Sequence, residues 1–179
     1  MKVAIHQPNF CPVKGYFDKI AAVDLFVFMI HCQWEKGKYQ NRFHVGDQWN
    51  TMSVNHGLQL IKHKQYTNHI VDWRNIKTRY PGLKVFNGCV NSSLHLTNTS
   101  IIMSAAKDCF GINTTIINDY PTDLRGTERL VDICKHYGAT EYLSGKSGRN
   151  YLDLKLFDEA GIKVSFQDNP DLTPLVHLL

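Results

Sequence analysis

Glu141-Tyr142-Leu143-Ser144-Gly145-Lys146-Ser147-Gly148-Arg149-Asn150-Tyr151-Leu152-Asp153 is the stretch on which the reading of the fold turns. An apolar strand over residues 140–143 runs into a loop of small residues. A helical pattern then starts near Asn150, with Leu152, Leu156 and Phe157 on one face. Small residues let the backbone turn tightly and leave N–H groups free to face an anion. Asn150 is placed to cap the helix, whose N-terminus favours negative charge. Lys146 and Arg149 bring full charges to the same place. The loop reads either as a cradle for phosphate or carboxylate or as a plain strand-to-helix connection. Neither the P-loop glycine pattern nor the dinucleotide fingerprint is present.

Outward from this loop the pattern repeats. A helix over 128–137, with Leu130, Ile133 and Cys134 inward, ends at Gly138. The helix near 150–160 ends at Gly161, and a strand follows over 163–166. The chain opens with the same unit: a strand over 3–5, a loop over 6–12, a helix over 14–22 and a strand over 25–30. Pro8 and Pro12 hold that first loop out of helix. Right-handed crossovers between parallel strands put all strand-to-helix loops on one rim, so the 6–12 and 144–149 loops are expected to share it. Ligands of open α/β sheets bind along that rim. The expected fold is α/β: a mostly parallel, Rossmann-like sheet with helices on both faces, one domain over residues 1–179. Between the two units, a polar, crowded stretch over 31–44 starts at the same rim. A strand is expected at 49–54, a mobile basic loop carrying Lys62 and Lys64 at 57–66, helices at 69–80 and 98–109, and a strand at 114–117.

A chain of 179 residues can bury a real core, and its net charge of +4 suits a phosphate-bearing partner. The start of the chain does not read as a signal peptide, and no apolar stretch reaches membrane-spanning length. The five cysteines are odd in number and form no Cys-x-x-Cys pair, which suggests free thiols in a reducing, cytoplasmic setting. No pair of ligands has the usual zinc spacing, so no metal site is assigned.

His6 follows a buried strand and reads either as a general acid or base at the rim or as a loop-capping imidazole. Gln7 and Asn9 bond a polar ligand or hold the loop. Lys14 and Lys19 read as solvated helix charges. Arg42, after Gln40 and Asn41, offers a fork for phosphate or carboxylate, or a surface ion pair. Trp34 and Tyr39 offer stacking faces, or core packing. Cys11 is a possible nucleophile, with the inert reading favoured.

Three segments carry a family resemblance: His6-Gln7-Pro8-Asn9 with Gly15-Tyr16-Phe17-Asp18-Lys19-Ile20; Gln33 with Gln40-Asn41-Arg42; and Ser144-Gly145 with Gly148-Arg149-Asn150-Tyr151-Leu152-Asp153, preceded by Thr127-Glu128-Arg129-Leu130. In order and spacing the chain resembles the WbqC-like family of bacterial and phage proteins. It departs from that pattern at Ile30 and His31, where members often carry acidic residues. The resemblance implies a transferase that moves an amino acid, glycine foremost, onto an activated acceptor. The acceptor is either a phosphorylated 5-hydroxymethyluracil in double-stranded phage DNA, with loss of phosphate, or an amino sugar in surface-polysaccharide synthesis. A non-catalytic nucleic-acid-binding module is the third reading. On the DNA reading, Lys146, Arg149 and the N–H groups of the Ser144, Gly145, Ser147 and Gly148 loop hold the leaving phosphate, beside Tyr151. His6, or failing it Glu35, takes the amine proton. Arg42 clamps the glycine carboxylate, and Trp34 or Tyr39 stacks on a flipped base. A phage protein of this kind would work in the host cytoplasm, with no cofactor and no membrane partner. The oligomeric state is not fixed by the sequence.

Overall fold

The computed structural model describes residues 1–179. Seven strands and five α-helices make up the chain, with short 3₁₀ and π turns between some of them. β1 (Lys2–His6), α1 (Lys14–Ala21) and β2 (Leu25–Phe28) form the first unit. The hairpin β3 (Arg42–Val45) and β4 (Gln48–Thr51) follows, then α2 (His69–Arg79) and α3 (Leu94–Ser104). The second half holds β5 (Thr115–Asn118), α4 (Gly126–His136), β6 (Glu141–Gly145), α5 (Leu154–Glu159) and β7 (Lys163–Gln167).

Five strands form one sheet in the order β5-β2-β1-β6-β7, and every pairing in it is parallel. The α/β expectation holds. β1 lies between β2 and β6, with Val3 opposite Leu25 on one side and Tyr142 on the other. From β1 the chain builds outward in one direction through β2 and β5, then returns to build in the other through β6 and β7. The point of reversal, between β1 and β6, is where such sheets open a crevice beyond their carboxyl ends.

The period-2 alternation of β1 and β2 sorts side chains onto two cores. Ala4, Phe26 and Phe28 face α1 and α3, meeting Tyr16, Phe17, Ile20, Ile101 and Ile102. Val3, Ile5, Leu25 and Val27 face α4 and α5, meeting Leu130, Ile133, Cys134 and Phe157. Both faces are therefore covered, which explains the unbroken apolar run of β2.

Four local expectations are corrected. β2 ends at Phe28, because the N–H groups of Ile30 and His31 turn onto the Asp119 carboxylate. The segment after Gly57 is no mobile loop: Ile61 and Lys64 are fully buried, and Lys64 Nζ donates to the Gly57 carbonyl at 3.0 Å. Asn150 does not cap a helix. Residues Lys146–Asn150 form a 3₁₀ turn, and α5 starts later, with the Asp153 side chain accepting from Lys155 N at 3.0 Å. Lys19 is no solvated charge: it is 3% exposed on the inner side of α1.

Candidate functional site

A cleft of about 1520 Å³ opens at the carboxyl edge of the sheet. Its walls come from the segment after β1 (His6 to Val13), the segment after β2 (Met29 to Gln40), the turn from Pro121 to Gly126 leading into α4, and Ser147 and Tyr151 after β6. The two loops expected on one rim do meet there, though the second contributes little.

His6 lines the cleft, with its ring edge-on to Tyr16 at 4.9 Å. Its Nδ1 lies 2.9 Å from the Gln7 carbonyl. A carbonyl only accepts, so Nδ1 carries the proton and Nε2 keeps its lone pair. Burial, helped by the nearby Lys19 charge, lowers the His6 pKa to about 4, the Gln7 bond opposing. His6 is thus a neutral acceptor at physiological pH and a weak store for a proton. Gln7 is gripped on both ends: its Oε1 accepts from Gln40 Nε2, and its Nε2 lies 3.3 Å from Cys32 Sγ. Gln40, 1% exposed, lines the cleft and leaves its Oε1 without a partner. Asn9 also lines the wall, whereas Asn41 turns away and donates to the Met52 carbonyl at 2.8 Å.

Glu35 and Tyr39 stand exposed at the mouth, Glu35 within 3.9 Å of Lys38. Trp34 stays outside the cleft, its ring covered by Lys64 Nζ at 4.2 Å. Arg42 is spent elsewhere: its guanidinium lies 4.0 Å from the Trp49 ring centre and bonds the Gly37 carbonyl. Tyr39, His44 and Trp49 pack together beside it, with Tyr39 and Trp49 close to half exposed.

In the Ser144–Arg149 loop, Ser144 is fully buried and Gly148 presses on it. Gly145, Lys146, Gly148 and Arg149 do not reach the cleft wall; Ser147 and Tyr151 do. Arg149 packs over Phe166 at 4.3 Å and pairs with Asp168 at 2.8 Å. This loop is not the start of an α-helix, so the N-terminal field read into it is missing.

The charged end of the cleft lies instead where β5 leads into α4. Arg125 is exposed there and makes no ion pair. The first N–H groups of α4 are free of intrahelical partners by geometry. Arg129, one turn on and 5% exposed, donates to Asp119 and keeps its Nε unpartnered. Asp119 is wholly buried and binds four donors: Arg129, Ile30 N at 2.9 Å, His31 N at 3.1 Å and His31 Nδ1 at 2.8 Å. Asp119 and Arg125 were not singled out from the sequence, His31 appeared only as a departure, and Arg129 only within a motif. The one available signal was a carboxylate directly after an apolar strand, the position of His6 in the first unit. The thiols are poorly suited to act as nucleophiles. Burial pushes Cys11 up, and burial chiefly, with Asp119 adding and Gln7 opposing, takes Cys32 to about 11.

Comparison with known proteins places the chain in a family. The model of the WbqC-like protein family matches residues 7–174. The chain belongs to the WbqC-like family. An uncharacterized protein, Rv1507c of Mycobacterium tuberculosis, is 32% identical over 191 residues, spanning 93% of this chain and 82% of that protein. No solved structure matches the chain. In this WbqC-like protein, no helix is long and apolar enough to cross a membrane.

Proposed function

We propose that the cleft is the active centre of a transferase that joins the amine of an amino acid, glycine foremost, to a phosphorylated 5-hydroxymethyluracil base in double-stranded DNA. The new N–C bond forms at the methylene carbon as the C–O bond to phosphate breaks. The observation that carries this reading is the meeting, in one cleft, of the unpaired Arg125 and the free N–H groups at the start of α4 with the imidazoles of His6 and His31; Asp123 lines the same turn as Arg125. Arg125 and the start of α4 suit a departing phosphate, whose charge grows in the transition state. The neutral His6 Nε2 suits an N–H donor, either the incoming amine or the uracil edge. A phosphate ester is activation enough, so the displacement requires no cofactor. A duplex would have to present its base flipped out, and Tyr39 at the mouth, with Trp49 packed against it, offers a face to stack on it.

A second reading is acylation of an amino sugar on a nucleotide carrier. The strand order is that of nucleotide-binding sheets, and a cleft of about 1520 Å³ has room for such a substrate.

Incubation with phosphomethyluracil DNA and isotope-labelled glycine, followed by mass spectrometry of the nucleosides, tests the first reading. The expected product is an amine-linked glycyl nucleoside with one phosphate released per base. Arg125→Ala should lower the single-turnover rate about a hundredfold, the usual cost of losing a charged contact to a developing anion. Arg149→Ala should stay near wild type, because its charge is held by Asp168. Unmodified nucleosides, with tight binding of a nucleotide sugar instead, would favour the second reading.

A further inference from the structure

We propose that His31 is the catalytic base of this cleft and that Asp119 is its positioning residue; the assignment of the proton's source rests on the transfer reading above. The pair is assembled from two strand ends. His31 follows β2 and Asp119 follows β5, neighbours in the sheet with Phe28 opposite Asn118. Asp119 N donates to the Phe28 carbonyl at 2.9 Å, which fixes the carboxylate beneath the turn at residues 29–31. Oδ1 then accepts from both Ile30 N and His31 N, so the backbone carrying the imidazole is held by the same atom that holds its ring.

The ring's orientation follows from donor and acceptor logic. The Asp119 side chain has no exposure, bonds Arg129 through Oδ2 and receives two backbone N–H groups through Oδ1. Every neighbour donates to it, so it is held as the carboxylate. A carboxylate accepts only, so His31 Nδ1 at 2.8 Å must carry its proton. The lone pair is left on Nε2, at the far side of a ring that lines the cleft and keeps 12% of its side-chain surface open. A carboxylate that fixes the tautomer and steadies the protonated ring is the arrangement that makes an imidazole an effective base. His6 lacks this support: its Nδ1 meets a neutral carbonyl, and burial with a nearby Lys charge disfavours its protonated form.

In the transfer step the amine nitrogen of glycine attacks the methylene carbon, and the phosphate leaves with the electron pair of the C–O bond. The proton lost from nitrogen goes to His31 Nε2 and afterwards to solvent. The charge that appears on the ring is met by Asp119.

Two measurements decide this. Nitrogen-15 NMR of histidine-labelled protein, with His31 assigned by its loss in His31→Gln, should show neutral His31 protonated at Nδ1 and bare at Nε2. Asp119→Asn, which can keep its oxygen on Arg129 only by turning its NH2 toward the ring, should shift that tautomer. A wild-type ring protonated at Nε2 would overturn the proposal, whatever reaction the protein performs. In single turnover with phosphomethyluracil DNA and glycine, His31→Gln should be slower by a factor of roughly 10²–10⁴ and should regain rate with added imidazole. A wild-type rate, or a slow variant that imidazole leaves unchanged, overturns it. The His31→Gln arm stands by itself where Asp119→Asn fails to fold. If wild type transfers nothing while the NMR result is as expected, the transfer reading falls and the oriented Asp119–His31 pair remains.

Discussion

Lys19 places an ammonium in the packed side of α1, where no carboxylate is paired with it. Burial lowers its pKa to about 8, and its charge adds to the burial that holds His6 at about 4. Both shifts oppose the charged form, so both weaken the fold where the unfolded chain is protonated. For Lys19 the penalty grows as pH falls from about 10.5 and is complete below about 8. For His6 it begins below about 6.5 and is complete below about 4. At about 1.4 kcal/mol per pKa unit, each is worth on the order of 3 kcal/mol. Lys19→Met should therefore raise unfolding free energy at neutral pH by about 1–3 kcal/mol in urea titrations. It should also lift the His6 pKa in NMR titrations, because one positive neighbour is gone. A less stable variant with an unmoved His6 would show that Lys19 is held by interactions other than these. Neither charge state was legible in the sequence: Lys19 sits on a helix that is amphipathic on paper, and only the packing of α1 reveals that its side is closed.

The β6–α5 connection shows how an element can be placed correctly and its chemistry misjudged. The strand, the turn and the following helix stand close to where their apolar spacing puts them. Small residues predict a tight turn, but not whether the tightness serves a ligand or the core. Here it serves the core: a Cβ on Gly148 would collide with Ser144 Oγ and come within 3.1 Å of Ser144 Cβ and Leu152 Cδ1. Gly148→Ala should cost about 1–3 kcal/mol, the range for forcing atoms into a packed site. Pairing it with Ser144→Gly, which removes the two Ser144 atoms and leaves Leu152, should return part of that loss in thermal melts; no return would mean that Leu152 or the backbone, and not Ser144, sets the constraint. The charged end of the cleft had no such local signature. Asp119, His31, Arg125 and Arg129 come from the ends of two strands and the first turn of one helix, and they gain meaning only once β5 pairs with β2. A period-based reading finds strands and helices, because burial imposes their repeat, but a carboxylate at a strand end has no repeat to betray it. His31, by contrast, stood out in the sequence only through the family resemblance, as a departure from an expected acidic position. Its carboxylate partner is supplied from β5.

Because all five strands of the sheet run in parallel, its two edges are chemically different places. The carboxyl edge holds the cleft, with Lys38 and Arg125 exposed at its mouth and Lys62 within its wall. The amino edge holds Lys2, paired to Glu141 at 3.2 Å, and the exposed Lys163. Net charge alone cannot tell these edges apart, yet a phosphate polymer that delivers a base to the cleft must lie across only one of them. Binding of phosphomethyluracil duplex DNA should weaken steeply with salt, since each Lys or Arg contact to a phosphate releases a counterion. Lys38→Ala and Arg125→Ala should each reduce the magnitude of the slope of log affinity against log salt by about 1, the signature of one lost phosphate contact. Lys163→Ala removes the same formal charge from the opposite edge and should leave the slope unchanged. Titrations by fluorescence anisotropy between low and physiological salt distinguish the cases. Equal losses from all three variants would mean that the protein responds to net charge and holds DNA on no particular face. A slope near zero in the wild type would remove DNA as the acceptor and leave a small nucleotide-linked substrate, for which a cleft of this volume, set at the crossover between β1 and β6, is the right kind of place.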